Sequence, residues 1–222
     1  MRNGVEVNGL IVTIDNSGCI GNKELDAVQV PNEITAYFTT RTAILEQWCA
    51  GAMPIQLLMA NFSGDHVWME YEQGIRRVFG EIGIPCPPII GSSETNFNAL
   101  QSAVSLTMIG EKIISRTINN CHYFVIGQPL VGNEVIENPQ QIAQLNELYQ
   151  GLTEGWIQAI WPTGSKGIGA EITRFIGGNY FCELDLHTSA GPSCAVLVAV
   201  LEQHVEQFSQ QISAPITEII KE

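Results

Sequence analysis

The stretch Asp15-Asn16-Ser17-Gly18-Cys19-Ile20-Gly21-Asn22-Lys23 follows directly on the apolar run Leu10-Ile11-Val12-Thr13-Ile14. The run is rich in β-branched residues and reads as a buried strand. A strand that ends on a carboxylate and opens into glycine and small hydroxyl residues can build a metal–phosphate site. The carboxylate offers oxygen to Mg²⁺, and the small residues let backbone N–H groups approach phosphate oxygens. Asp-Asn-Ser-Gly is equally good turn chemistry, and on this segment alone both readings stand.

Outward from that strand, residues 25–30 alternate apolar and polar and read as a second strand, ended by Pro31. Residues 33–50 read as a helix, with Ile34, Phe38, Leu45, Trp48 and Cys49 near one face, stopped by Gly51-Ala52-Met53-Pro54. A strand over 55–62 and a turn at Ser63-Gly64-Asp65 lead into a helix over 66–82, closed by Gly83. A short strand over 87–91 empties into Gly91-Ser92-Ser93-Glu94-Thr95-Asn96, and 103–109 is another strand, followed by Gly110-Glu111. The order β(β)αβαββ implies an α+β sandwich with helices on one face of the sheet.

A second unit begins near Cys121, after the polar stretch Ser115-Arg116-Thr117-Ile118-Asn119-Asn120. The expected domains are therefore 1–115 and 116–222. In the second, 123–128, 180–184, 195–201 and 216–220 read as strands, and 139–149, 152–160, 170–176 and 202–212 as helices. The glycine-rich segment Gly164-Ser165-Lys166-Gly167-Ile168-Gly169 precedes the third of these helices. It does not match G-x-x-x-x-G-K-[ST] and is not a P-loop. It reads either as a tight turn or as a backbone cradle with Lys166 facing phosphate.

The chain has 222 residues, 45% hydrophobic and 15% charged, which supplies a sizeable core and argues against disorder. Its net charge of −13 repels nucleic acid and anionic lipid, both of which bind through Lys and Arg. An anionic substrate must then be received by metal ions, backbone N–H groups and a few well-placed cations. No apolar run is long enough to span a bilayer, and no signal-type segment opens the chain. The 6 cysteines are scattered, with no C-x-x-C pair, and read as reduced thiols. These features lead us to expect a cytoplasmic enzyme or binding protein.

Three carboxylates stand out. Asp15 ends one strand, Glu94 follows another, and Glu46 lies on one helical face with Thr39 and Thr42. Arg41 falls in line with Ile34, Phe38, Leu45 and Trp48. It either snorkels to water or is buried against a carboxylate or phosphate. Of the histidines, His187 lies in a loop, Asp185-Leu186-His187-Thr188-Ser189, and a structural role suits it best.

The ordered set Asp15, Gly18, Lys23, Gly51-Ala52-Met53-Pro54, Glu94-Thr95 and Gly110-Glu111 resembles the aminoimidazole ribonucleotide synthetase superfamily. That group includes thiamine-monophosphate kinase, selenophosphate synthetase and a hydrogenase maturation protein. The segments Lys23-Glu24-Leu25-Asp26, Val30-Pro31, Thr40-Arg41-Thr42-Ala43 with Glu46, Gly91-Ser92 with Glu94 and Asn96, and Ser189-Ala190-Gly191-Pro192 are similar to the α-ribazole kinase branch. Two features depart from the superfamily: Glu46 stands where Asp is frequent, and the C-terminal domain is short.

The resemblance implies a ferredoxin-like N-terminal αβ sandwich that pairs into a dimeric barrel, with a smaller, trimmed α/β C-terminal domain completing a nucleotide groove. It implies a kinase that uses ATP and Mg²⁺ to phosphorylate the 5′-hydroxyl of a nucleoside, with α-ribazole as the leading acceptor. A synthetase-type ligase and a non-catalytic dimeric nucleotide-binding paralogue are the alternatives. Asp15, Glu46 and Glu94 would hold the metal on the phosphates, and Asp15, Lys23 and Arg41 would act in transfer. Ser17, Gly18, Ser92, Ser93, Thr95 and Lys166 would contact the nucleotide. The apolar strands of the first unit also lead us to expect a homodimer.

Overall fold

The computed structural model describes residues 1–113 and 118–221. The chain divides into two compact units, Met1–Ile114 and Ser115–Glu222. Ser115, Arg116 and Thr117 of the polar stretch lie outside the described residues, as does the 115/116 boundary drawn through it.

The first unit runs β1 (Val5–Val7), β2 (Leu10–Gly18), β3 (Ile20–Gly21), β4 (Val28–Gln29), α1 (Asn32–Cys49), β5 (Ala52–Asn61), α2 (Trp68–Ile82), β6 (Ile89–Ser93) and β7 (Ala103–Lys112). Its main sheet has the order β1-β2-β7-β5-β6. β7 is antiparallel to both β2 and β5, so β2 and β5 run parallel with β7 between them, joined through α1 as a split βαβ unit. β5 and β6, joined through α2, are instead direct parallel neighbours. The ferredoxin-like expectation thus holds for half of the sheet. The second crossover returns to the adjacent position, so no strand separates β5 from β6.

α1 packs on β2 through side chains four residues apart on the strand. Thr13 Oγ1 donates to the Ala43 carbonyl at 3.2 Å, and Ser17 Oγ lies 2.8 Å from Thr39 Oγ1. Gln47, fully buried, donates to the Ile11 and Met108 carbonyls and to Thr13 Oγ1. The sequence segment 25–30 does not form the strand expected of it. Only Val28–Gln29 is extended, paired with Ile20–Gly21. The reason is Asp26, whose buried carboxylate accepts from the Lys23 N–H and from the Ser102 N–H and hydroxyl, turning the chain there.

The two helices meet closely at Gly74, where a Cβ would run into the Glu33 carbonyl oxygen of α1. Gly74→Ala is therefore expected to destabilise the protein by roughly 1–3 kcal/mol, because backbone cannot give way as a side-chain tip can. A melting temperature within a degree of wild type would show that the helices separate freely.

The opposite face of the sheet carries an apolar row that crosses four strands: Ile14 opposite Thr107, Thr107 opposite Leu58, and Leu58 opposite Ile90. A second row joins Val5, Val12, Ile109 and Gln56. Ile14 and Ile90 are each 55% exposed and Val5 is 54% exposed.

The second unit runs β8 (Cys121–Ile126), α3 (Asn133–Glu137), α4 (Leu145–Glu154), β9 (Ile157–Pro162), α5 (Gly167–Phe175), β10 (Tyr180–Phe181), β11 (Val196–Leu201), α6 (Val205–Gln211) and β12 (Ile216–Lys221). Its sheet, β10-β12-β8-β11-β9, is antiparallel at every pairing, so the unit is α+β and not the α/β domain expected. β11 is buried on both faces. Val125, Leu197 and Ile219 pack with Ile168 and Ile172 of α5, while Phe124 and Trp156 pack with Phe208 of α6. The helix expected over 152–160 is corrected to the end of α4 and the strand β9. Gly155, in the left-handed conformation, closes α4 and frees the apolar run after it to pair with β11.

Candidate active site

The topology gathers most of the first unit's candidate residues at one end of its sheet. Ser17 and Asn61 both lie opposite Val104, and Asn61 lies opposite Ser93. The carboxyl ends of the parallel strands β2, β5 and β6 therefore converge, which in open sheets with crossover helices is where ligands bind. Ser17, Gly18, Ser92 and Ser93 belong to this end, with Glu94 and Thr95 just beyond it. Gly18 is exposed, with open space where a side chain would stand, and Ser92 and Thr95 are exposed. Ser93 Oγ accepts from Asn61 Nδ2 at 3.1 Å. The Glu94 N–H donates to the Asn61 carbonyl at 2.7 Å, and its carboxylate accepts the Asn96 N–H at 2.7 Å. Lys23 Nζ donates to the Ala99 carbonyl at 2.8 Å and ties the loop after β3 to the loop after β6.

Asp15 lies two residues back from Ser17 on the same face, beneath α1 and partly buried. Burial pushes its carboxyl up to about 7. The Asn16 N–H opposes that shift, the neighbouring charge of Glu46 adds to it, and the charge of Arg2 partly offsets it. A carboxylate so placed favours a proton or a cation.

Glu46 sits deeper along α1. Thr39 stands beside Ser17, Ala43 beside Thr13 and Gln47 beside Ile11, so Glu46 lies at the level of the middle of β2, away from the end where Glu94 is found. Its carboxylate, 1% exposed, is held by Arg2 and Asn3. Arg2 Nη1 pairs with Oε1, the Asn3 N–H donates to Oε2 at 3.2 Å, and Asn3 Nδ2 donates to Oε1 at 3.1 Å. Asp15, Glu46 and Glu94 are therefore not brought together. Among the described residues, no group of three or more His, Cys, Asp or Glu side chains could hold a metal ion. Asp15 fits a cation, whereas Glu46 as it stands does not.

Arg41 is buried, 1% exposed, and does not snorkel to water. Its charge acts on Tyr37, whose hydroxyl donates to Glu81 at 2.6 Å where α1 meets α2. The cation acting on Asp15 is Arg2. Sequence reasoning passed over Arg2, Asn3 and the carboxylate of Asp26. Arg2 and Glu46 stand 44 residues apart, and no local pattern joins them.

In the second unit, Lys166 is exposed at the start of α5. The glycines around it answer to packing. Gly167 has φ +81° and meets the Leu186 carbonyl, and the Gly169 N–H donates to that carbonyl at 2.9 Å. The Gly164 carbonyl accepts from Gly167 and Ala190. The exposed loop at His187 is shaped by Asp185, which accepts from the His187 N–H and the Thr188 hydroxyl. These bonds hold the Asp185 carboxyl below the usual carboxylate range.

The whole chain superposes on solved structures. Thiamine monophosphate kinase from Aquifex aeolicus matches with a TM-score of 0.65 at 11% identity, over 98% of this chain and 85% of that one. This chain shares its fold. E. coli HypE, a hydrogenase maturation protein, matches with a TM-score of 0.62 at 13% identity, over 99% and 81% of the two chains. T. maritima PurL complexed with AMPPCP matches with a TM-score of 0.57 at 14% identity, over 100% of this chain and 42% of PurL. No protein-family model matches the chain. By sequence, ribose-5-phosphate isomerase A of Lactococcus lactis subsp. cremoris is 26% identical over 127 residues, 53% of this chain and 54% of that protein. The chain thus spans about half the length of this curated relative. No helix among the described residues is long and apolar enough to cross a membrane.

Proposed function

We propose that the chain is an ATP-dependent phosphotransferase that phosphorylates the 5′-hydroxyl of a nucleoside, with α-ribazole as its acceptor. The observation that carries this reading is the convergence of Ser17-Gly18, Ser92-Ser93 and Glu94 at the carboxyl ends of three parallel strands, with the partly buried Asp15 behind them. The shared fold supports it. One structural relative is a thiamine monophosphate kinase, and another was solved with AMPPCP, an analogue of ATP.

In the proposed reaction the oxygen of the acceptor's 5′-hydroxyl forms a bond to the γ-phosphorus as the bond from that phosphorus to the β,γ-bridging oxygen breaks, releasing ADP and giving up the hydroxyl proton to solvent. Small residues at Ser17-Gly18 and Ser92-Ser93 would let the backbone approach the phosphates, and the Lys23 ammonium, which now donates to the Ala99 carbonyl, would turn toward them. Asp15 would hold Mg²⁺, which neutralises charge on the transferring group when bound. Glu46 would join it only after losing its present donors.

Incubation with ATP and α-ribazole tests this directly. Mono-phosphorylated α-ribazole with stoichiometric ADP supports the kinase reading. Turnover only with a formylglycinamidine substrate would assign the chain to synthetase chemistry, in line with its likeness to PurL. Nucleotide binding without either reaction would leave a binding protein.

The apolar rows on the helix-free face of the first sheet are proposed to pair with a second copy of the chain. Exposed apolar residues aligned across several strands form the kind of patch that marks an interface.

A further inference from the structure

Asp26 is a buried carboxylate, 7% exposed, to which the proposed reaction gives no task. Both of its oxygens are taken up between two loops. Oδ2 accepts from the Lys23 N–H at 2.9 Å and from the Ser102 hydroxyl at 2.7 Å, and Oδ1 accepts from the Ser102 N–H at 2.7 Å. Around this centre the loop between β3 and β4 is laced to the loop between β6 and β7. Lys23 Nζ donates to the Ala99 carbonyl at 2.8 Å, and Gln101 Nε2 donates to the Leu25 carbonyl at 2.7 Å. Just ahead of β3, the Cys19 N–H donates to the Ser102 carbonyl at 2.8 Å. The Ser102 end is fixed from its other side as well, because Ser63 Oγ accepts from the Ala103 N–H at 2.9 Å. Gly21 lets these parts close up, since a Cβ there would run into Ser102 Oγ and Asn32 Oδ1.

We propose that Asp26 is a positioning residue for nucleotide binding: its carboxylate fixes the Lys23 main chain against Ser102, so that the Lys23 ammonium is presented to the phosphates. The inference rests on the proposed role of Lys23. With its own N–H anchored, Lys23 has only its side chain to reorient, and less freedom is lost when the ammonium moves from a neutral carbonyl to a charged phosphate. The chemistry at Asp26 requires a carboxylate. All three of its partners are donors, and an ionised carboxylate offers acceptors alone, whereas the amide of asparagine would turn its own N–H groups toward one of them.

The test measures AMPPCP binding to the whole protein by calorimetry, in a double-mutant cycle of Asp26→Asn and Lys23→Met, with melting temperatures recorded alongside. Lys23→Met should weaken binding about tenfold or more, the loss of one charge-assisted contact. Asp26→Asn should weaken it about fivefold or more in the wild-type background and less than about twofold in the Lys23→Met background. A carboxylate that only fastens the fold predicts a lower melting temperature and the same change in affinity in both backgrounds. If Asp26→Asn does not fold, Ser102→Ala takes its place; it removes one donor, keeps the two main-chain bonds to Asp26, and should depend on Lys23 in the same way. The proposal is overturned if wild type binds no AMPPCP, or if Lys23→Met binds it as tightly as wild type. It is equally overturned if the substitution at 26, or at 102 in its place, has no effect on affinity or the same effect with and without Lys23. Turnover is read separately. Coupling between the two residues without phosphorylation of α-ribazole would retain the positioning role and remove the proposed reaction. Phosphorylation without the coupling would do the reverse.

Discussion

Asp15→Asn should lower phosphoryl transfer on the order of 10²-fold or more while leaving the protein at least as stable as wild type. An amide oxygen is a poor ligand for a hard cation, so the kinetic loss follows from the proposed role. The stability effect follows from the side chain's surroundings. Burial and Glu46 raise the Asp15 carboxyl to about 7. Because its pKa is higher in the folded than in the unfolded chain, the folded state holds the proton more tightly. The carboxylate therefore carries no penalty well below pH 4; the penalty grows as pH rises from there towards 7 and is complete above it. Asparagine never ionises, so in EDTA the variant should gain on wild type with rising pH, by on the order of 4 kcal/mol at pH 8. Turn capping by Asp15 predicts the opposite: a stability loss of roughly 0.5–2 kcal/mol and normal turnover. Thermal melts at pH 5 and pH 8, together with initial rates on the same preparation, separate the two.

The second large effect concerns the helix-free face of the first sheet. Ile14 stands 55% exposed in the row with Thr107, Leu58 and Ile90. If two copies pair through this face, Ile14→Glu buries a charge against apolar neighbours and should weaken the dimer on the order of a hundredfold. Wild type should sediment as a dimer at micromolar concentration and the variant as a monomer, with the same melting cooperativity. A wild-type monomer, or a variant that dimerises as well as wild type, would remove the interface.

What the sequence revealed about the fold followed the range of its signals. The strand at Leu10-Ile11-Val12-Thr13-Ile14 and the helix α1 are legible because β-branched runs and helical periodicity are local. Gly83 closes α2 in the left-handed conformation, where a glycine after a periodic helix is a readable stop. Gly155 sends the same signal, but the apolar run after it suits a buried helix as well as a strand, and only pairing with β11 decides between them. Residues 25–30 alternate like a strand, yet the Asp26 carboxylate bonds to Ser102, which lies 76 residues away.

The site shows the same division. Ser17, Gly18, Ser92, Ser93 and Glu94 are legible as small residues and carboxylates at strand ends. That these ends converge depends on β7 inserting between β2 and β5, which motif order alone does not encode. Glu46 is legible as a candidate carboxylate on one face of α1 with Thr39 and Thr42, but neither as buried nor as the anchor of Arg2, because a contact across 44 residues leaves no periodic trace. The glycines at 167 and 169 suit a tight turn and a phosphate cradle alike in the sequence, and their approach to the Leu186 carbonyl, much further along the chain, is not legible there.

The central claim is that phosphate passes from ATP to a nucleoside hydroxyl, with Asp15 as part of the site. The most direct measurement supplies ATP labelled at the γ-phosphate together with α-ribazole and follows the label in wild type and Asp15→Asn. Transfer of label to the 5′-phosphate of α-ribazole by wild type, reduced about 10²-fold or more in the variant, is the predicted result. Label that remains in ATP or appears only as inorganic phosphate, or a variant that transfers it as fast as wild type, would contradict the account.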